Sequence, residues 1–174
     1  MALTLYDATV GHYKQQVGAL ANVLAKGAEH FKGDKAALAD ILETRLFPDM
    51  LPFSFQVVSI AHHSVGAIAG AKAGVFTPPP RTYDGDYKGL QDLLANTLAT
   101  LDAVKPEDVN ALSGKDVVFK VGDMQMPYLA EGFFISMSLP NFFFHCTTAY
   151  DILRSKGVPL GKRDFMGRPQ LKQQ

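Results

Sequence analysis

The sequence has a single cysteine, Cys146, no tryptophan and no excess of charge of either sign. One cysteine cannot close an internal disulfide, which is typical of a reducing compartment, and residues 1–4 lack the charged and apolar parts of a secretory signal. Because 17 basic residues balance 17 acidic residues, no overall positive field attracts the phosphate backbone of a nucleic acid. We therefore expect a cytoplasmic protein that does not bind nucleic acid.

A hydrophobic run long enough to cross a membrane is also absent. Residues 132–146 are rich in Phe, Ile, Met and Leu, but Pro140, Asn141 and His145 interrupt them, whereas a spanning helix needs about 20 mostly apolar residues. We expect this stretch to form a buried helix with no membrane contact. The chain has 174 residues, 47% of them hydrophobic, which predicts one well-packed core and a single domain over residues 1–174.

Apolar residues recur at alternating spacings of three and four in four parts of the chain, which predicts four long amphipathic helices. The first begins at Leu3 and ends in the turn at 31–34. The second begins at the N-cap Asp49 and ends at Gly74. The third covers about 87–104, and the fourth covers about 129–156 with a kink or break near Pro140.

Shorter elements lie between these helices. Residues 35–46 predict a short helix, and residues 77–80 form a stiff loop with three consecutive prolines. Residues 117–121 and 124–128 resemble two short strands joined by a tight turn. The predicted fold class is therefore all-α, a four-helix bundle with a short helical insertion and one small β-hairpin.

The C-terminal tail, residues 158–174, is basic and contains glycine and proline, so we expect it to be irregular. It also carries apolar residues that are unusual in a disordered end. We expect the tail to pack on the bundle and to bring Arg154, Lys162 or Arg163 near the mouth of the cleft, where they could attract an anionic ligand.

Several common sites are missing from the sequence. It has no glycine-rich phosphate loop, no Cys-x-x-Cys pair and no Gly-x-Ser-x-Gly elbow. Nucleotide binding of the usual kinds, structural zinc and the usual serine hydrolase site are therefore not expected.

Four polar residues remain on the faces that should meet inside the bundle. Asn141 and His145 are one helical turn apart and can point to one spot. His62 and His63 are adjacent, about 100° apart around the helix axis, so only one of them can face that spot. Neutral imidazole is a frequent ligand of divalent metals, and we therefore expect a metal site between the second and fourth helices. In the alternative interpretation His145 makes a buried hydrogen bond, Asn141 caps the helix after Pro140, and His62 or His63 faces solvent.

A family resemblance rests on segments that together cover nearly the whole chain. They are Pro48-Asp49-Met50-Leu51-Pro52-Phe53 with Gln56-Val57, then Leu139-Pro140-Asn141-Phe142-Phe143-Phe144-His145, Thr148-Ala149-Tyr150 and Ile152-Leu153-Arg154, and finally Gly157-Val158-Pro159-Leu160-Gly161-Lys162-Arg163-Asp164-Phe165-Met166-Gly167. With these segments the sequence resembles an uncharacterised bacterial and fungal domain family within the DinB/YfiT-like superfamily.

The resemblance implies a four-helix bundle that is often dimeric. Better-known members of the superfamily bind a divalent metal through one His of the second helix and a His-x-x-x-His pair of a late helix, and some are thiol-dependent transferases or isomerases. By position the helix-two ligand corresponds to His62 or His63, and the late pair to Asn141 and His145. Asparagine thus stands where the superfamily has the first histidine of the pair.

Two functions follow as hypotheses. The first is a metal-assisted hydrolase or transferase that acts on a small molecule in the bundle cleft, with zinc or nickel held by His62 or His63, Asn141 and His145. The second is a non-catalytic module that binds a small ligand or dimerises and has lost the ancestral metal site. In both cases we expect a homodimer, because the apolar residues 132–139 and 142–144 exceed what a four-helix monomer readily covers.

Overall fold

The computed structural model describes residues 3–169 and 171. The chain is mostly helical and carries one small sheet. In chain order its elements are α1 (Leu5–His30), α2 (Lys35–Glu43), α3 (Phe53–Ala61), a π-helical segment π1 (His62–Gly66), α4 (Ala67–Ala73), β1 (Val75–Phe76), α5 (Tyr87–Asp102), α6 (Pro106–Asn110), β2 (Asp116–Val121), β3 (Met124–Leu129), α7 (Ala130–Gly132), a second π-helical segment π2 (Phe133–Ser138), α8 (Leu139–Ser155) and α9 (Lys162–Met166). No helix in the described ranges is long and apolar enough to cross a membrane.

The four predicted long helices correspond to α1, the unbroken run α3–π1–α4, α5, and the unbroken run α7–π2–α8. The core lies where α1 packs against α5 and α8, and where α3 packs against α8 and α5. It contains aromatic side chains with no exposed surface, among them Tyr13, Phe53, Phe133 and Phe142. Burial of these aromatic faces is the main favourable term holding the helices together.

The sheet has one strand more than the sequence indicated. The predicted hairpin is present as β2 and β3, paired antiparallel from Asp116↔Leu129 to Val121↔Met124. β1 pairs in parallel with β2 through Val75↔Val118. This two-residue strand follows a left-handed turn at Gly74 (φ 75°). A strand of two residues is too short to show an alternating apolar pattern in the sequence.

Two predicted helix boundaries are wrong. The N-cap of α3 is Pro52, and Asp49 lies in the preceding turn. There the backbone N–H of Phe53 donates to the carbonyl of Thr44 at 2.8 Å, so a backbone bond satisfies this free amide. The short helix α2 ends at Glu43, short of residue 46.

Of the kink or break expected near Pro140, the break is wrong, because the chain stays helical through that residue. A proline inside a helix donates no hydrogen bond and its ring crowds the carbonyl four residues earlier. The wider π turn of π2 ends at Ser138, two residues before this proline, and the helix is continuous across the junction.

The tail packs on α1 and contains a regular element that the sequence did not suggest, the five-residue helix α9. The side-chain amide of Gln16 donates to the carbonyl of Phe165 at 2.7 Å, and Lys26 pairs with Asp164 at 2.7 Å. Val158 is fully buried. The expectation that Arg154, Lys162 or Arg163 lies at the cleft mouth is therefore wrong, since α9 is held on α1 and none of the three lines the cavity described next.

Candidate functional site

A cavity of about 300 Å³ lies between π1, π2, α8 and the hairpin. It is lined by Phe55, His63, Pro78, Pro79, Phe119, Met126, Tyr128, Met137, Asn141 and His145. Most of this wall is aromatic, proline or methionine, and among the described residues no lysine, arginine, aspartate or glutamate lines it. The volume lies at the lower end of the range for small-molecule pockets.

The two π-helical segments hold each other in place beside this cavity. A π turn leaves backbone groups without their usual partners, and here the Ser138 hydroxyl donates to the carbonyl of His63 at 2.7 Å. The single proton of Ser138 is used in that bond, so the Tyr13 hydroxyl donates to the Ser138 oxygen at 2.8 Å. This buried chain joins α1, π2 and π1 and fixes the backbone that carries His63.

The ring of Phe76 packs against both histidines of π1. Its ring centroid lies 4.6 Å from that of His62 and 5.5 Å from that of His63. The ring reaches this position because Gly70 leaves room for it: a Cβ at Gly70 would lie 2.8 Å from the Phe76 ring and 3.0 Å from the carbonyl of Val75.

His145 projects from α8 and is held by a residue of α3. Its Nδ1 lies 2.7 Å from the side-chain oxygen of Gln56. The nitrogen of the same amide donates to the carbonyl of Leu51 at 2.8 Å. The Phe55 ring packs edge-on against the imidazole, with ring centroids 5.7 Å apart. Two neighbouring residues of α3 therefore hold the ring of His145.

His63 and His145 lie side by side, with ring centroids 5.7 Å apart and ring planes inclined by 22°. Burial lowers the pKa of His145 to about 4. Burial, followed by the charges that His145 and His62 would carry, lowers the pKa of His63 to about 3. Both rings are therefore neutral at pH 7, and the buried Nδ1 of His63 has no hydrogen-bond partner among the described residues.

Of the four residues predicted for the site, three line the cavity and one does not. His63, Asn141 and His145 share its wall. His62 points elsewhere, with its Nε2 2.6 Å from the carbonyl of Thr77, and lines a separate groove against α5. The amide nitrogen of Asn141 donates to the carbonyl of Met137 at 2.7 Å, so Asn141 bonds back into its own helix and does not cap a new one.

The metal predicted from the sequence would have to be held by the side chains that line this cavity. Catalytic zinc sites use three protein ligands and an open position. Within the described ranges no group of three or more His, Cys, Asp or Glu residues is placed to hold an ion, and the cavity offers two imidazoles and one carboxamide oxygen. The residues present do not fit a complete catalytic metal centre of the kind that the resemblance implies.

Sequence reasoning missed the residues that the hairpin and the proline loop bring to the cavity, namely Phe119, Met126, Tyr128, Pro78 and Pro79. Their position depends on the parallel pairing of β1 with β2, for which the sequence carries no signal. Gln56 could have been identified, because Gln56, Ser59 and His63 lie on one line of the helix surface. That line, and not the line through His62, faces α8.

The comparisons with known proteins agree with this architecture. The model of the family described as "Domain of unknown function (DUF1993)" matches residues 5–166. No curated protein is significantly similar in sequence. The solved structure of a DinB family member protein from Shewanella denitrificans is similar with a TM-score of 0.75 and 25% identity, over 98% of this chain and 96% of that chain. The resemblance to an uncharacterised DinB-like family is thereby confirmed, and the chain belongs to the family of unknown function DUF1993.

Proposed function

We propose that this protein is a non-catalytic binding module whose cavity takes up a small uncharged molecule with an apolar body. The observation that carries the proposal is the composition of the wall: seven apolar or aromatic residues surround two neutral imidazoles and one carboxamide, and no charged side chain of residues 3–169 lines the cavity. Burying a charged ligand there would be costly because nothing in the wall neutralises it.

The acidity of the two histidines supports binding over acid–base catalysis. A general base works best when its pKa lies near the working pH. The pKa of His145 is lowered to about 4 and that of His63 to about 3 by burial, which makes both rings weak proton acceptors at neutral pH. They remain good hydrogen-bond partners for a ligand.

A second candidate is weak binding of a divalent cation such as zinc or nickel, which is what the metal-assisted hydrolase or transferase hypothesis needs. One observation favours it. Gln56 holds Nδ1 of His145 in the way that outer-shell partners orient metal-ligating histidines. With two imidazoles and Asn141 as donors, most of the coordination would have to come from water, so affinity would be modest.

A nuclear magnetic resonance titration with a library of uncharged fragments tests the first proposal. We expect fragments to shift the ring signals of His63 and His145, and the Met126→Trp variant to lose these responses because its larger side chain fills the cavity. Met124→Trp is the matched control, since Met124 lies on the same strand, is exposed and does not line the cavity.

Zinc chloride added to the same sample tests the second candidate. Cation binding would perturb His63 and His145 in wild type and in His62→Ala, but not in His145→Ala. For the first proposal, fragment responses that persist in Met126→Trp, or the absence of any response of wild type to fragments, would refute ligand binding in this cavity. Equal zinc binding by wild type and His145→Ala would remove His145 from any metal site.

A further inference from the structure

The direction of the hydrogen bonds around Gln56 determines which nitrogen of His145 carries its proton. The carbonyl of Leu51 can only accept, so the amide nitrogen of Gln56 must face it and the amide oxygen must face His145. That oxygen also can only accept. Nδ1 of His145 is therefore the protonated nitrogen of the neutral ring, and Nε2 keeps its lone pair.

Asn141 is arranged in the same sense. Its amide nitrogen donates to the carbonyl of Met137, which leaves its oxygen as the polar atom with no partner among the described residues. His145 and Asn141 line the same cavity one helical turn apart. Both thus offer the cavity hydrogen-bond acceptors, whereas His63, whose Nδ1 has no partner among the described residues, can adopt either tautomer.

We infer that Gln56 is a positioning residue that fixes His145 as a hydrogen-bond acceptor, and that the cavity consequently selects uncharged molecules carrying an O–H, N–H or S–H donor on an apolar body. The inference rests on the proposed function, because it requires a ligand in this cavity. It adds that the ligand donates the hydrogen bond and the cavity accepts it, which the composition of the wall alone does not determine.

The role of Gln56 is tested by long-range proton–nitrogen correlation spectra of the histidine rings at pH 7, which show which ring nitrogen is protonated. In wild type we expect the proton of His145 on Nδ1. Gln56→Met keeps a side chain of similar length but removes the acceptor, so the Nδ1–H signal should be lost. His62 is the internal control, because the Thr77 carbonyl holds its proton on Nε2 in both proteins. A wild-type His145 protonated on Nε2 would overturn the inference.

The ligand class is tested with two probes that share an aromatic body, 4-methylphenol and 4-methylanisole. The second carries a methyl group on its oxygen and therefore has no O–H donor. One net hydrogen bond predicts that wild type binds the phenol between about two-fold and ten-fold more tightly. In Gln56→Met this preference should decrease, since His145 is no longer held as an acceptor and only the oxygen of Asn141 keeps that role.

The outcomes distinguish the inferred ligand class from the proposed binding function. Equal binding of both probes by wild type would overturn the ligand class and leave the binding module intact. Binding of neither probe would overturn the donor-ligand class together with the proposed function, while the ring spectra still decide the role of Gln56. The wild-type measurements settle both points even where Gln56→Met is unstable.

Discussion

At the scale of single residues, burial changes the behaviour of His63 and His145 from that of an imidazole in water. Each must stay neutral inside the fold because a charged imidazole would lose its hydration without gaining an opposite charge. The pKa of His145 is lowered by burial from 6.5 to about 4. The unfolded chain therefore binds protons in this range that the folded chain cannot bind.

This difference predicts a pH dependence of stability. As the pH falls from about 6.5 to about 4, the unfolded state gains protons and the free energy of unfolding decreases, by about 3 kcal/mol for His145 at the acid end. Replacing His145 with glutamine removes this contribution, so the variant should lose less stability than wild type over that interval. Urea unfolding at a series of pH values measures the two slopes.

The control for this experiment is His12→Gln, which removes a histidine from an exposed position on α1. It shows what the loss of a histidine outside the cavity does to the same measurement. If His145→Gln and wild type have parallel pH profiles, His145 is not held neutral by burial.

At the scale of elements, the run α3–π1–α4 and the strand that follows it act together, and Gly70 is where they meet. Alanine at this position would bring its Cβ to 2.8 Å from the Phe76 ring and 3.0 Å from the Val75 carbonyl. The backbone carbonyl cannot move without disturbing the pairing of β1 with β2. The end of this helical run can therefore lie against the sheet only because residue 70 has no Cβ.

We predict that Gly70→Ala destabilises the protein by about 1–3 kcal/mol, the usual cost of overpacking, despite the higher helix propensity of alanine. Gly18→Ala is the matched control, because the nearest atom to a Cβ there lies 3.9 Å away. The control should stabilise the protein by up to about 1 kcal/mol. Thermal unfolding of both variants gives the comparison, and a Gly70→Ala protein as stable as Gly18→Ala would contradict the close approach.

At the scale of the whole molecule, the apolar fourth helix is mostly covered by the chain itself. Phe142 is fully buried, whereas Phe144 remains 55% exposed and Ile135 remains 54% exposed on the same run. Leu139, partly buried, lies between them in sequence. The expected homodimer stays a prediction, and the exposed ring of Phe144 is the aromatic side chain of this run that its contact would use.

Light scattering at micromolar concentration should give twice the chain mass of 18.9 kDa. Phe144→Ser should shift the protein toward the monomer, because it removes an aromatic ring from the contact. Leu171→Ser, at another exposed apolar position, should leave the mass unchanged. A wild-type mass of 18.9 kDa, or dissociation by both substitutions alike, would contradict a dimer formed through this face.

The sequence by itself determined the helices and most of the polar cluster. Helix periodicity is a local property, so α1, α5 and the two long interrupted runs could be read from the spacing of apolar residues. The same geometry placed Asn141 and His145 one turn apart, and reduced the histidines of the second helix to a choice between His62 and His63.

Only the tertiary structure decided that choice and the character of the site. His63 faces the cavity because the Ser138 hydroxyl holds its carbonyl, and His62 turns away to the carbonyl of Thr77. Most of the apolar wall comes from the proline loop and from the hairpin, which β1 attaches to the end of the second helical run. These contacts join residues far apart in sequence, and their free energy depends on burial and hydrogen-bond direction, neither of which a local pattern of residue types contains.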